Sequence, residues 1–155
     1  MRYLRLMIAV LLLACGPVLA GPYEDGVAAY QRKDYATALK LFRPLAETGN
    51  FRAQFNLGVM YAAGQGVPKD DQQALFWYRK AADQGDDFAQ FNLGVMYALG
   101  RGVPKDDQQA YFWWLLASVS GGAEAVKNRD LIESRITPQQ RAAAQADARK
   151  WKPVK

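Results

Sequence analysis

Two stretches of this sequence decide its fold. Residues 53–85 read AQFNLGVMYAAGQGVPKDDQQALFWYRKAADQG, and residues 89–121 read AQFNLGVMYALGRGVPKDDQQAYFWWLLASVSG. Of the 33 positions paired at a constant offset of 36 residues, 24 are identical. Such agreement marks a duplicated structural unit, and a period of this length is typical of solenoids built from stacked repeats.

Each unit is predicted to contain two helices joined by a loop. In the first helix, helix A, Leu57 and Tyr61 recur at helical spacing and are expected to face the core. Residues 64–69 end this helix, because Gly permits left-handed backbone and Pro prevents a helix from continuing. Asp70 is predicted to cap helix B, with Gln73 completing a capping box. The inner face of helix B consists of Ala74, Trp77, Ala81 and Ala82.

Glycines inside helix A indicate close packing. Gly58 and Gly94 each cost about 1 kcal/mol relative to Ala, so we expect another helix to lie against them. A first unit precedes the duplicated pair and brings the total to three, about the number that a stable stack needs. In this first unit the residues 31–33 form a turn that is five residues shorter. Its helix A carries Gly26 and Ala29, and its helix B follows the cap Asp34 with Ala36, Ala38, Phe42, Leu45 and Gly49.

The C-terminal segment is predicted to cover the last hairpin. Thr137 resembles an N-cap, Pro138 suits the first turn, and Gln140 stands at the third position of a capping box. A polar outer face at the end of a solenoid keeps it soluble. The residues expected to pack inward are Ala142, Ala143, Ala146 and Trp151, and those expected to point outward are Arg141, Arg149 and Lys150.

The repeated residues follow the pattern A-x-x-x-L-G-x-x-Y-x-x-G-x-G-V-x-x-D-x-x-x-A-x-x-W-x-x-x-A-A-x-x-G, which resembles the Sel-1-like repeat, a relative of the tetratricopeptide repeat. The unit 53–85 matches every position, and the unit 89–121 departs only at Ser118. The first unit, with its short turn, is similar to a tetratricopeptide repeat. The resemblance implies an all-α right-handed superhelix of three hairpins with a C-terminal capping helix. The predicted boundaries are 1–20, 21–49, 50–85, 86–121 and 122–155.

Composition excludes several classes of function. The chain has no His and one Cys, which disfavours most metal sites and both Ser-His and Cys-His catalysis. We predict no catalytic residue, cofactor or metal. Residues 21–120 hold 10 basic and 11 acidic side chains, whereas residues 121–155 hold 8 basic and 4 acidic ones. The body therefore lacks the basic face that nucleic-acid binding requires.

The first twenty residues are interpreted as a signal peptide. Arg2 and Arg5 precede an unbroken apolar run, residues 6–14, which is too short to span a bilayer. Cleavage after Ala20 would release a periplasmic protein without a transmembrane segment. The alternative is a lipobox at residues 12–15, in which Cys15 is lipidated and anchors the protein in the cell envelope.

The candidate binding surface lies on the helix A residues that point away from Leu57 and Tyr61. In the resembling folds, helix A lines the concave surface, and aromatic side chains together with Asn amides would suit a bound peptide. The alternative interpretation is that Phe55 and Phe91 pack against the neighbouring helix A. The predicted groove residues are Tyr23, Val27, Tyr30, Phe55, Asn56, Val59, Phe91, Asn92, Val95 and Leu99.

The resemblance implies a non-enzymatic adaptor or regulator that binds a protein or peptide partner. Two other functions were weighed. Surface aromatics such as Trp114 would suit a cell-wall or carbohydrate-binding module. A cysteine-rich secreted branch of the resembling family is described as having weak β-lactamase activity, but the repeats of this chain contain no Cys and no Ser-x-x-Lys motif.

Overall fold

Eight α-helices and no strand make up the part of the chain that the structure, a computed structural model, describes, residues 21–154. The helices pair into three hairpins, α1–α2, α3–α4 and α5–α6, and each hairpin packs against the next. This confirms the predicted all-helical repeat solenoid. The predicted signal peptide and Cys15 lie outside the described residues. The helices are α1 (Pro22–Gln31), α2 (Tyr35–Glu47), α3 (Phe51–Ala63), α4 (Asp71–Asp83), α5 (Asp87–Leu99), α6 (Asp107–Ser118), α7 (Ala123–Glu133) and α8 (Pro138–Lys150).

Side-chain caps begin five of the six hairpin helices, and α1 begins after Gly21 without one. Asp34, Asp70 and Asp106 accept backbone N–H groups from the first turns of α2, α4 and α6, which confirms the predicted caps of the B helices. The capping box predicted between Asp70 and Gln73 is wrong, because the N–H of Asp70 donates to the carbonyl of Tyr61 instead. The A helices have caps that the sequence analysis did not assign, Asn50 on α3 and Asp86 on α5. Each cap satisfies an N–H group that has no partner within its own helix.

Gly58 and Gly94 are needed because an aromatic ring of helix B lies directly against each of them. A Cβ atom on Gly58 would stand 2.5 Å from the ring of Tyr78, and one on Gly94 would stand 2.4 Å from the indole of Trp114. Both distances are far inside van der Waals contact. The predicted close approach of a second helix is therefore confirmed, and the contact is made by a ring of the same hairpin.

The first hairpin has a shorter loop than the other two. Three residues, 32–34, separate α1 from α2, whereas seven residues, 64–70, separate α3 from α4. The loop is thus shorter by four residues, and the predicted difference of five is wrong. Gly26 supports this count: its Cβ would stand 2.6 Å from the ring of Phe42, which makes Gly26 the equivalent of Gly58, 32 residues later.

The core follows the predicted pattern with local corrections. Trp77 is buried as predicted, at 9% exposure, whereas Ala36, expected on the inner face of α2, is exposed. Tyr61 is half-buried, and the fully buried side chain beside it is Met60. Helix A therefore turns a neighbouring face to the core. This face includes the buried Gln54, whose Nε2 donates to a carbonyl at the end of α2, 3.0 Å away.

The segment after residue 121 contains two helices where the sequence predicted one. α7 begins 36 residues after α5 and packs against α6, so it takes the place of helix A in a fourth unit. α8 begins at the predicted start, and the capping box between Thr137 and Gln140 is formed in both directions. The terminal unit therefore departs from the repeat only in its second helix, because α8 folds back onto α6.

The inner face of α8 differs from the prediction. Ala144 is buried, whereas Ala142 and Ala143 are exposed, so the inward orientation predicted for these two is wrong. Trp151 packs against the core that α4, α5 and α6 form, and so covers the last hairpin as predicted. Beyond it, the N–H of Val154 donates to the carbonyl of Asp83 at 2.8 Å, which ties the tail to the last residue of α4. Arg149 and Lys150 are exposed to solvent, as predicted. Arg141 forms an ion pair with Glu133.

Candidate functional site

Two open hollows lie side by side where the A helices begin. The central hollow, between α1, α3 and α5, has a volume of about 370 Å³ and is lined by Tyr23, Phe51, Arg52, Phe55, Asn56, Asp86, Asp87 and Phe88. The terminal hollow, beside α5, α6 and α7, has a volume of about 380 Å³ and is lined by Asp87, Phe88, Phe91, Ala117, Gly122, Ala123, Glu124 and Ala125. Six residues of the second set stand 36 residues after members of the first. The hollows are therefore the same place in successive units.

Four of the ten predicted groove residues line these hollows. Tyr23, Phe55 and Asn56 belong to the central hollow, and Phe91 belongs to the terminal one. These four residues lie in the N-terminal halves of α1, α3 and α5. Their role in binding stays a prediction.

The other six residues lie away from the hollows. Val27, Val59 and Val95 are half-buried and pack against the hydrophobic core between the helices. The hydroxyl of Tyr30 donates to Gln65 at 2.6 Å, and its ring meets that of Tyr35. Asn92 is half-buried and bonded within its own helix, and Leu99 is the exposed last residue of α5. The structure thus gives two hollows at one end of the A helices in place of a continuous groove.

Phe55 connects the core to the central hollow. Its ring centroid lies 5.9 Å from that of Tyr78 and 6.0 Å from that of Phe88. Tyr78 is 4% exposed, whereas Phe88 is 66% exposed. Phe55 therefore packs against the neighbouring helix A, α5, as the alternative interpretation expected. It also lines the central hollow.

Phe91 is fixed by a hydrogen bond to its backbone and by the packing of its ring. The indole N–H of Trp114 donates to the carbonyl of Phe91 at 3.1 Å, and the ring packs beside the cluster that includes Trp114 and Ile132. The buried side chains of Ala117 and Ala125 also line this hollow. This hollow is consequently shallow, apolar and backed by packed structure.

Two exposed aromatic residues at this site were missed by the sequence analysis. Phe88 stands on the shared rim of both hollows, and Phe51, 38% exposed, lies in the central one. Neither is repeated, since Arg52 stands 36 residues before Phe88 and Asp87 stands 36 residues after Phe51. A search based on repetition therefore could not find them. The available signal was a large apolar residue in the first turn of a helix, one residue after the cap for Phe51 and two after it for Phe88.

The amide donors of the two predicted Asn residues are used inside the protein. Asn56 donates from Nδ2 to the hydroxyl of Tyr23 at 3.1 Å and to the carbonyl of Arg52 at 3.0 Å. Asn92 donates to the carbonyl of Phe88 at 2.8 Å. Both Nδ2 hydrogens of Asn56 are thus engaged, so a bound peptide would meet this amide through its oxygen, whereas Asn92 keeps a second N–H that can donate. Asn56 also fixes the position of Tyr23.

The charged residues around the hollows are mostly acidic. Asp86, Asp87 and Glu124 supply three carboxyl groups, and Arg52 supplies the single cation of the two linings. Burial raises the pKa of Asp86 above its ordinary value, more than its bond from the Ala89 N–H and the charge of Arg52 lower it. A nearby cation would ease this burial of charge.

The remaining candidate features have structural roles. Trp77, Trp113 and Trp114 are 9%, 2% and 5% exposed, so their faces are not free to stack on a sugar. Within residues 21–154, no group of His, Cys, Asp and Glu side chains has the arrangement of a metal site. No helix in this range is long and apolar enough to cross a membrane.

Comparison with protein families gives three matches to the model of the Sel1 repeat, at residues 18–50, 51–86 and 87–118. These matches cover most of the chain, and they count the first unit as a Sel1 repeat despite its short turn. No curated protein gave a significant match.

Two solved structures are similar to this chain. A protective antigen of uropathogenic Escherichia coli strains, which displays an SLR fold, matches with a TM-score of 0.79 and 35% identity over 84% of this chain. A Sel1 repeat protein from Oxalobacter formigenes matches with a TM-score of 0.67 and 34% identity over 69% of this chain. The match spans 29% of the first protein and 44% of the second.

Proposed function

This chain belongs to the Sel1 repeat family, and we propose that it is an exported, non-enzymatic scaffold that holds a segment of a partner protein in the central and terminal hollows. Sel1 repeats are generally protein-interaction modules. Export and the binding of a peptide segment are the two parts of the proposal.

The exposed ring of Phe88 carries the binding part of this proposal. A Phe with 66% exposure on the rim between two hollows is a large apolar group that a partner can cover. Burying a Phe side chain completely contributes roughly 1.5–3 kcal/mol, and aromatic anchors of this kind dominate many interfaces. Phe51, Phe55 and Phe91 extend the apolar surface on either side of it.

Capture of partners with a matched pair of variants tests the binding part. Phe88→Ala removes the ring between the hollows, and Phe76→Ala removes a ring of similar exposure, 47%, on α4 away from both hollows. A protein that the tagged chain captures from the envelope fraction is then purified, and its affinity for each variant is measured. We expect Phe88→Ala to weaken binding about tenfold or more, and Phe76→Ala to leave it unchanged. If the partner binds the wild-type protein, Phe88→Ala and Phe76→Ala with equal affinity, the hollows are not the binding surface.

Export is supported by the sequence of residues 1–20, with its basic start, short apolar run and small residues before Gly21. The mass of the intact mature protein tests it. A mass beginning at Gly21 is expected, and a lipid-modified mass beginning at Cys15 would replace the periplasmic proposal by an anchored one. Cys15→Ser should leave the first product unchanged and abolish the second. An unprocessed chain in the cytoplasm would contradict export altogether.

A further inference from the structure

We infer that the partner segment is cationic and apolar: one large apolar side chain seats against Phe91 in the terminal hollow, and a neighbouring Lys or Arg pairs with Asp87 and Glu124. This inference rests on the proposed function, because it names the chemistry of the partner at the same site. It follows from a difference between the two hollows.

The protein itself shows how the apolar place is filled in one unit. Phe55 in the central hollow is covered on one side by Phe88, at a centroid distance of 6.0 Å. Phe91 is the equivalent of Phe55, 36 residues later, and the residue equivalent to Phe88 is Glu124. The ring that covers Phe55 thus has no counterpart over Phe91.

The terminal hollow has the size and lining of an anchor pocket. Its volume of about 380 Å³ lies at the lower end of the range typical of ligand pockets, about 300–1,000 Å³, and is sufficient for one large side chain. Phe88, Phe91, Ala117 and Ala123 make its walls apolar. A leucine or phenylalanine of the partner would cover Phe91 in the way that Phe88 covers Phe55.

The charge around this pocket favours a cation beside that anchor. Asp87 and Glu124 line the terminal hollow, with no basic residue among the lining side chains. The N-termini of α5 and α7 contribute about half a positive charge each, which leaves the hollow net negative by about one charge. Attraction between complementary charges raises the association rate and excludes anionic partners.

The C-terminal tail of a second copy is the rival occupant, because residues 149–152 are also basic and aromatic. Its apolar groups are already engaged in the chain that carries them: Trp151 packs into the core, and Val154 is bonded to Asp83. Docking of that tail would require these contacts to break. The partner is therefore assigned as a separate cationic peptide segment.

Selection from a phage library of random peptides of about a dozen residues tests the inference with the purified chain. We expect the enriched peptides to carry a net positive charge and at least one large apolar residue. A selected peptide is then synthesised, and its affinity is measured against variants. Asp87→Lys should weaken binding about three- to tenfold at low salt and less at high salt, since salt screens exposed charges. Asp71→Lys is the matched control, because Asp71 is likewise the first residue of its helix and is similarly exposed, but it belongs to the preceding hairpin and lines neither hollow.

Glu124→Phe examines the anchor pocket directly. By restoring the residue found in the preceding unit, it should cover Phe91 from within and weaken peptide binding tenfold or more, while the protein stays folded. Enriched peptides that bind independently of Phe88 and Glu124 would overturn the proposed function as well. Peptides that need Phe88 but are neutral or acidic, and that ignore Asp87→Lys, would overturn only the cationic assignment. If the protein dimerises in a concentration-dependent way, and deletion of residues 149–155 abolishes the dimer, the occupant of the site is the tail of a second copy.

Discussion

The packing of Gly58 against Tyr78 gives a prediction whose sign runs against helix propensity. Gly58→Ala should stabilise an isolated helix by about 1 kcal/mol. In this protein the added Cβ would stand 2.5 Å from the ring of Tyr78, whereas carbon atoms attract best at about 3.5–4.0 Å. The ring would have to move by about 1 Å, but it is 4% exposed and rests on Phe55.

Overpacking of this kind costs roughly 1–3 kcal/mol, and a required shift of about 1 Å puts Gly58→Ala near the upper end of that range. After subtraction of the gain in helix propensity, we expect a net loss of about 1–2 kcal/mol in the free energy of unfolding. Urea unfolding followed by far-ultraviolet circular dichroism measures this loss.

The control is the same substitution in a Tyr78→Leu background. Leu has no ring at the point of collision and can rotate away, so Gly58→Ala should there be neutral or stabilising by up to about 1 kcal/mol. The reasoning fails if Gly58→Ala stabilises the protein while Tyr78 is present, or if its effect is the same in both backgrounds.

Two further predictions concern a cap and the terminal helix. Burial raises the pKa of Asp86, so its contribution to stability is fully present below the ordinary carboxyl pKa and is lost as pH rises through the folded value. Asp86→Asn, which installs the cap that Asn50 provides one unit earlier, should keep α5 capped and flatten this part of the dependence of unfolding free energy on pH; an unchanged profile would argue against it. Ala144→Asp should cost about 2–4 kcal/mol by burying a charge, and Ala142→Asp should cost less than about 0.5 kcal/mol, both read from melting temperatures; equal losses would mean that α8 docks by another face.

The duplicated units were predictable because repetition separates structural positions from the rest. Trp77 and Gly58 each recur at the same interval, so their roles as core side chain and close-contact glycine could be assigned before the structure. The terminal helices offered no such contrast. Residues 142–144 are all Ala, and a run of identical small side chains gives no indication of which one faces inward. α7 lacks the repeated glycine and tyrosine, so its place as a fourth helix A was visible only in its packing.

The two hollows were only partly predictable, for the opposite reason. Phe55 and Phe91 are the same residue in the same repeat position, yet one is covered by Phe88 and the other faces an open hollow beside Glu124. In a stack where each unit touches only its neighbours, the environment of a repeated residue is set by the next unit. Repetition therefore specifies the scaffold, and the proposed binding surface differs between units where the repetition fails, at residues 88 and 124. In related repeats, we therefore expect specificity to reside at the non-identical positions that follow each helix A cap.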